Sequence, residues 1–276
     1  MDSRKDKKAR QPIVDGIFYP ADPGELKTLI HSYIDSKNYG SSSVIYSPHA
    51  GYSAAGAMMG KAFCSAAKKQ VREVVIISPV HREETDSIIL PRFTSFATPL
   101  GSVPISMKSL HLFQNSDKSI IRDDIPHLEE HSIEDQLPFI QVLFPEASIL
   151  PILVGKSTIG LVKKIREGLT RAFGQDRDGV LFVATGNLSS YSNREQAIYA
   201  ADKALNIFSK GNWKEIVEDA RTNGIEACGA ASLAAILSFI PTPLTMKILD
   251  RVEAEYIELE KGKTVSYGAL SFIEED

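Results

Sequence analysis

"VIYSPHAGY", residues 44–52, decides how this chain is read. Val44, Ile45 and Tyr46 favour extended backbone, and Ser47-Pro48 closes the run just before His49. The same order recurs at residues 74–81, "VVIISPVH", where an apolar run again meets Ser-Pro and then His81. "SILPILVG" at 148–155 and "GVLFVATGN" at 179–187 are two further apolar runs, the second ending in Asn187. Uninterrupted apolar strands belong to a sheet covered on both faces.

Helical patterns lie between these runs. In "DPGELKTLIHSYIDS" (22–36), Asp22 suits the cap, Pro23 the first helical position and Glu25 the capping box. Leu26, Leu29, Ile30, Tyr33 and Ile34 then share one face, with His31 read as a surface residue. "AAGAMMGKAFCSAAKK" (54–69) reads as a helix of small residues with Cys64 on its packed side. "HSIEDQLPFIQVLF" (131–144) is helix-like despite Pro138. "LVKKIREGLTRAF" (161–173) places Leu161, Ile165, Leu169 and Phe173 on one stripe. Helices are also expected over 194–210, 213–223 and 228–239. "SIILP" (87–91) and "GSVPIS" (101–106) read as an antiparallel excursion, and the C-terminal runs as a β-hairpin about Lys261-Gly262-Lys263. The pattern predicts one α/β domain over residues 12–276, with a mixed or mostly parallel central sheet between helices. Residues 1–11, rich in charge, read as a mobile tail.

Bulk properties narrow the function. The chain has 276 residues, 43% hydrophobic and 24% charged, enough for a real core. Its net charge of −4 and lack of a basic stripe argue against nucleic acid. No apolar run is long enough to span a bilayer, and the N-terminus lacks the apolar segment of a secretory signal. Two cysteines, Cys64 and Cys228, make no disulfide framework, so a reducing, cytoplasmic setting is expected.

Ligands of open α/β sheets gather at the carboxyl ends of strands, where His49, His81 and Asn187 fall. Two strand-end histidines with one more ligand suit iron, copper or zinc. Cys228 precedes a helix of small residues, where free N–H groups favour a thiolate, although a buried, inert cysteine is the plainer reading of those residues alone. In "EEHSIEDQLPFIQ", His131 is placed to hydrogen-bond a substrate or orient a ligand, with Ser132 as a possible cap. Glu134 reads either as a metal ligand or as an acid in the first turn, and Glu129, Glu130 and Asp135 as first-turn acids. His111 and His127 read as surface residues.

"SPHAGY", "ISPVH", "EHSIEDQLPFIQ", "LPILVG" and a downstream "CG" occur here in the order seen in the Memo family, the Memo-like proteins of the AmmeMemoRadiSam group. The resemblance runs from "DGIFYPADPGEL" to the last strand. It implies a fold related to the class III, non-haem iron extradiol dioxygenases. It also implies a metal site of two histidines and a cysteine, which fall on His49, His81 and Cys228, for one divalent ion with iron favoured over copper or zinc. The chain departs from the pattern after the third strand. "TGNLSSY" puts Asn187 and Ser190 where the family places an acid and a histidine, and neither is an effective base. Three expectations follow. One is a metal-dependent oxidoreductase of unknown substrate, with His131 and Tyr52 supplying protons or hydrogen bonds. Another is a non-catalytic adaptor, since animal Memo-like proteins are associated with signalling and with peptide recognition near this crevice. The third is a partner of AMME-type and radical-SAM proteins in a modification pathway.

Overall fold

The computed structural model describes residues 9–256 and 262–274, apart from 36, 38, 68, 69, 83, 84 and 175. In chain order the elements are β1 (Ala9–Arg10), α1 (Pro23–Tyr33), β2 (Val44–Ser47), α2 (Tyr52–Cys64), β3 (Glu73–Pro79), β4 (Ile88–Leu90), β5 (Ser95–Thr98) and β6 (Gly101–Pro104). Then follow α3 (Met107–Gln114), β7 (Ile121–Arg122), α4 (Ile125–Glu129), a 3₁₀ turn (Glu134–Gln136), α5 (Leu137–Leu143), β8 (Ser148–Val154), α6 (Ile159–Phe173) and β9 (Val180–Thr185). The chain ends with β10 (Ser189–Tyr191), α7 (Arg194–Ser209), α8 (Trp213–Arg221), α9 (Ala230–Phe239), β11 (Leu244–Tyr256) and β12 (Lys263–Glu274).

The four apolar runs form the parallel centre of the main sheet, in the order β2-β9-β3-β8. Their residues are buried at successive positions, so neither face meets water. The flanks are antiparallel, with β4 beside β8 and β12 beside β2, so the sheet is mixed. Helices α1, α2 and α5 pack together, with α2 on β2 and β12. Helices α3, α6, α8 and α9 form a second group, with α9 on β9 and β3.

Local signals act as their chemistry dictates. Asp22 accepts the Glu25 N–H at 2.9 Å and opens α1. Thr158 does the same for Leu161 at 3.1 Å, and α6 then buries Leu161, Ile165 and Leu169. Pro138 is tolerated because it stands in the first turn of α5, where its missing N–H has no partner to lose. The C-terminal hairpin forms between β11 and β12, although Lys261 of its turn lies outside the described residues.

Three expectations need correction. "SIILP" and "GSVPIS" do not pair with each other: β4 joins the main sheet, while β6 pairs with β5 in a second sheet of order β1-β5-β6. The expected tail is also too long. Residues 1–8 lie outside the described residues, but Ala9–Arg10 is a strand, and the Arg10 side chain is fully buried. His127 is not on the surface. It is 1% exposed, its Nε2 is 3.2 Å from the Ile89 carbonyl, and burial holds its pKa down to about 3.

Candidate metal centre

Because β2, β9 and β3 run parallel, their carboxyl ends share one rim. His49, His81 and Asn187 each follow the last strand residue by two positions, at Ser47, Pro79 and Thr185 respectively. The two histidine rings meet edge to face at 4.9 Å between centroids. Cys228 arrives from the other direction, one residue before Gly229, the cap of α9. A Cβ on Gly186 would collide with Tyr46 Oη and the Gly229 backbone, so the end of β9 lies directly against the start of α9. That close approach puts Cys228 Sγ 3.5 Å from His49 Nε2 and within reach of the Asn187 N–H, which donates to it at 3.1 Å. One ligand atom each from His49, His81 and Cys228 all lie within 4.8 Å of one another.

Each histidine is held by its far nitrogen. His49 Nδ1 is 2.7 Å from Thr185 Oγ1, and His81 Nδ1 is 3.0 Å from Glu130 Oε2. A third imidazole, His131, has Nδ1 2.8 Å from Asp135 Oδ2. Its ring lies 5.8 Å from that of His49 and 6.1 Å, parallel, from that of His81. Phe18 packs edge-on against it at 4.8 Å.

The charges reinforce one another. Burial alone would raise the Cys228 thiol, but the facing His49 and His81 imidazoles more than reverse that and bring it well below the usual thiol range. Burial alone would lower His81, but Cys228 and Glu130 raise it to about 10. Glu130 is pulled well below the usual carboxylate range: its burial opposes ionisation, and the hydrogen-bonded His81 outweighs it. For His131, burial is likewise outweighed by Asp135, and its pKa rises.

A crevice of about 340 Å³ opens over these groups, lined by His49, His81, His131, Asn187, Ser190 and Cys228 among others. Two sequence-predicted residues are absent from it. Tyr52 is 1% exposed and donates its hydroxyl to the Asp135 carbonyl at 2.7 Å, so it braces the His131 partner instead of facing a substrate. Glu134 is fully buried, with a carboxylate occupied by Arg10, the Ile13 and Val14 N–H groups and Tyr19 Oη. It has no capacity left to ligate a metal. Ser132 caps no helix either; its hydroxyl pairs with that of Ser78.

A sequence profile described as Memo-like protein matches residues 10–271. The chain belongs to the Memo family. A MEMO1 family protein from Thermoplasma acidophilum is 27% identical over 83% of this chain and 85% of its own length. A second, from Nitrosopumilus maritimus, is 26% identical over 96% of this chain and 99% of its own. A solved structure of an uncharacterized protein from Escherichia coli K12 covers 81% of this chain and 98% of its own, with TM-score 0.45 and 13% identity. That likeness is too distant to bear on fold or function.

Within this Memo-family chain, Asn187 and Ser190 stand on the crevice wall. The Asn187 Oδ1 atom is buried without a hydrogen-bond partner among the described residues. Sequence reading missed Glu130, Thr185 and Ser78. In the sequence Glu130 reads as one acid of a helical first turn, yet it receives both the backbone N–H and the ring of His81. The Ser-Pro repeat that precedes His49 and His81 was the available signal for Ser78, which its strand points inward. Among the described residues no helix is long and apolar enough to cross a membrane.

Proposed function

We propose that His49, His81 and Cys228 hold one divalent transition metal, iron first with copper or zinc as alternatives, and that the crevice above it receives a small molecule or peptide. The observation that carries this reading is the convergence of three ligand atoms within 4.8 Å at the floor of an open crevice. The donor set fits such an ion. Both imidazoles are anchored at Nδ1, which leaves Nε2 as the donor, and the thiol is already driven toward thiolate. Ferrous iron would supply redox and Lewis-acid chemistry at its open positions. The chain itself supplies a proton carrier. Asp135 fixes the His131 ring through Nδ1 and leaves Nε2 to exchange a proton with a substrate group in the crevice. On this reading the protein is a non-haem-metal oxidoreductase with a reduced acid–base set.

One observation favours a second reading, a non-catalytic metal-binding adaptor that takes a peptide in the same crevice. Asn187 and Ser190 occupy the wall, and neither carries an effective base there. Anaerobic purification followed by elemental analysis tests the shared core of both readings. Wild type is expected to retain one metal per chain, and His49→Ala and Cys228→Ser to lose it. Metal content equal to wild type in both variants overturns the assignment.

A further inference from the structure

Behind the crevice, on the side away from substrate, the two ligand histidines are joined. His49 Nδ1 meets Thr185 Oγ1 at 2.7 Å, and Thr185 Oγ1 meets Ser78 Oγ at 3.0 Å. Ser78 Oγ then bonds Ser132 Oγ. The Ser132 backbone N–H donates to Glu130 Oε1 at 3.1 Å, and Glu130 Oε2 holds His81 at both its N–H and its Nδ1, each at 3.0 Å. Thr185, Ser78 and Ser132 are 0% exposed and Glu130 only 4%, so water does not compete for these bonds.

We propose that Thr185, Ser78 and Ser132 form a hydroxyl chain that keeps the His49 proton on Nδ1 and ties that ring to His81 through Glu130. This rests on the metal reading above and adds to it a set of positioning residues that touch neither metal nor substrate. An imidazole whose Nε2 lone pair serves as a ligand carries its single proton on Nδ1, where it must donate. Thr185 Oγ1 accepts that proton's bond, so its own hydrogen points onward to Ser78, and that of Ser78 to Ser132. The donors all run away from His49. A hydroxyl also differs from a carboxylate as a support. It orients the ring without charge, whereas Glu130 adds negative charge behind His81. The chain therefore makes two chemically identical ligands unequal, with His81 the stronger donor and His49 the weaker. The hydroxyl run ends at Ser132 Oγ, and the tie to Glu130 passes through the Ser132 residue itself, whose backbone N–H holds Oε1, so both supports depend on the position of one buried residue.

Cobalt(II) serves as the probe, because its affinity is read by chelator competition and its bond to Cys228 by a thiolate charge-transfer band. Thr185→Val keeps the shape but removes the acceptor, and is expected to weaken Co²⁺ binding about tenfold or more and to shift the band. Thr185→Ser restores the hydroxyl and is expected to recover most of the affinity. Ser78→Ala, one link further back, weakens binding by less. The Thr185→Val, Glu130→Gln double variant loses less than the product of the single losses, because the two supports are coupled. Circular dichroism checks that each variant is folded; the Thr185→Ser and Ser78→Ala pair carries the test if Thr185→Val is not. If wild type binds Co²⁺ and Thr185→Val binds it equally with an unchanged band, the chain is only core filling and the proposal fails. If the double-variant losses multiply, His49 and His81 are held independently and the tie between them is overturned. If wild type binds no Co²⁺, the metal reading itself fails and takes this inference with it.

Discussion

Arg10 and Glu134 stand 124 residues apart in the chain and form an ion pair with both side chains fully buried. The guanidinium also donates from Nε to the His127 carbonyl at 2.9 Å and from Nη2 to the Glu130 carbonyl at 2.8 Å. It therefore fastens the segment that carries Glu130 and His131 to the N-terminal strand. Breaking one side of such a pair leaves a buried charge without a partner.

Arg10→Met is accordingly expected to lower folding stability by about 3–5 kcal/mol, and Glu134→Leu by a similar amount. The double variant is expected to recover part of that loss, because no charge is then stranded. Urea unfolding of the three variants measures it. Single losses below about 1 kcal/mol, the range of solvated pairs, would contradict the buried pair.

The pair also marks where sequence reading stops. Strands β2, β3, β8 and β9 were legible because a fully buried parallel strand is apolar at every position. Histidines 49 and 81 were legible because the same strand-then-Ser-Pro order precedes both. Cys228 was not legible from its own surroundings; the family resemblance supplied it, and the Gly186–Gly229 approach shows how it gets there. Arg10 looked like part of a solvated tail because charge near a terminus usually meets water, and its carboxylate partner is remote in the chain. His127 carried no local pattern either, since its burial comes from contacts with Ile89 and Phe96. Glu134 and Tyr52 read as site residues in the sequence, but local spacing at a 3₁₀ turn or at the start of a helix does not say which way a side chain will point.

Catechol cleavage is a direct check on the crevice wall. With Asn187 and Ser190 on that wall, neither an effective base, iron-loaded protein under controlled oxygen is expected to show no turnover, or very slow turnover, of catechols. Brisk turnover that survives His131→Gln would mean that protons are handled by groups other than those assigned.

The two cysteines are expected to react differently in metal-free protein. Cys64 is 8% exposed inside α2, and burial raises its thiol pKa. Cys228 is only half-buried, opens on the crevice and is held toward thiolate. A pulse of iodoacetamide read by mass spectrometry should label Cys228 first. Prior loading with metal should protect it, because coordination occupies the thiolate. Faster labelling of Cys64, or labelling of Cys228 that ignores metal, would remove Cys228 from the ligand set.

The same groups set a pH window for the metal-free protein. His81 rises from 6.5 to about 10, and Cys228 falls well below 9.0. Just below about 9 the native pair holds one proton, on His81, and the unfolded pair also holds one, on the cysteine. Their contribution to stability is therefore flat there. Above about 9 the unfolded cysteine is ionised while native His81 keeps its proton up to about 10, so the contribution is lost as pH rises through that value. The His81 side chain is 38% exposed, so solvent screening trims the size of the decline without changing its sign. The measurement is the urea midpoint of metal-free wild type minus that of His81→Gln with Cys228→Ser, taken from about pH 8 to about pH 10.5. The difference should be level at first and then fall above about pH 9. A difference that climbs steadily above about pH 9 would show that the imidazolium and thiolate do not face each other as the geometry places them.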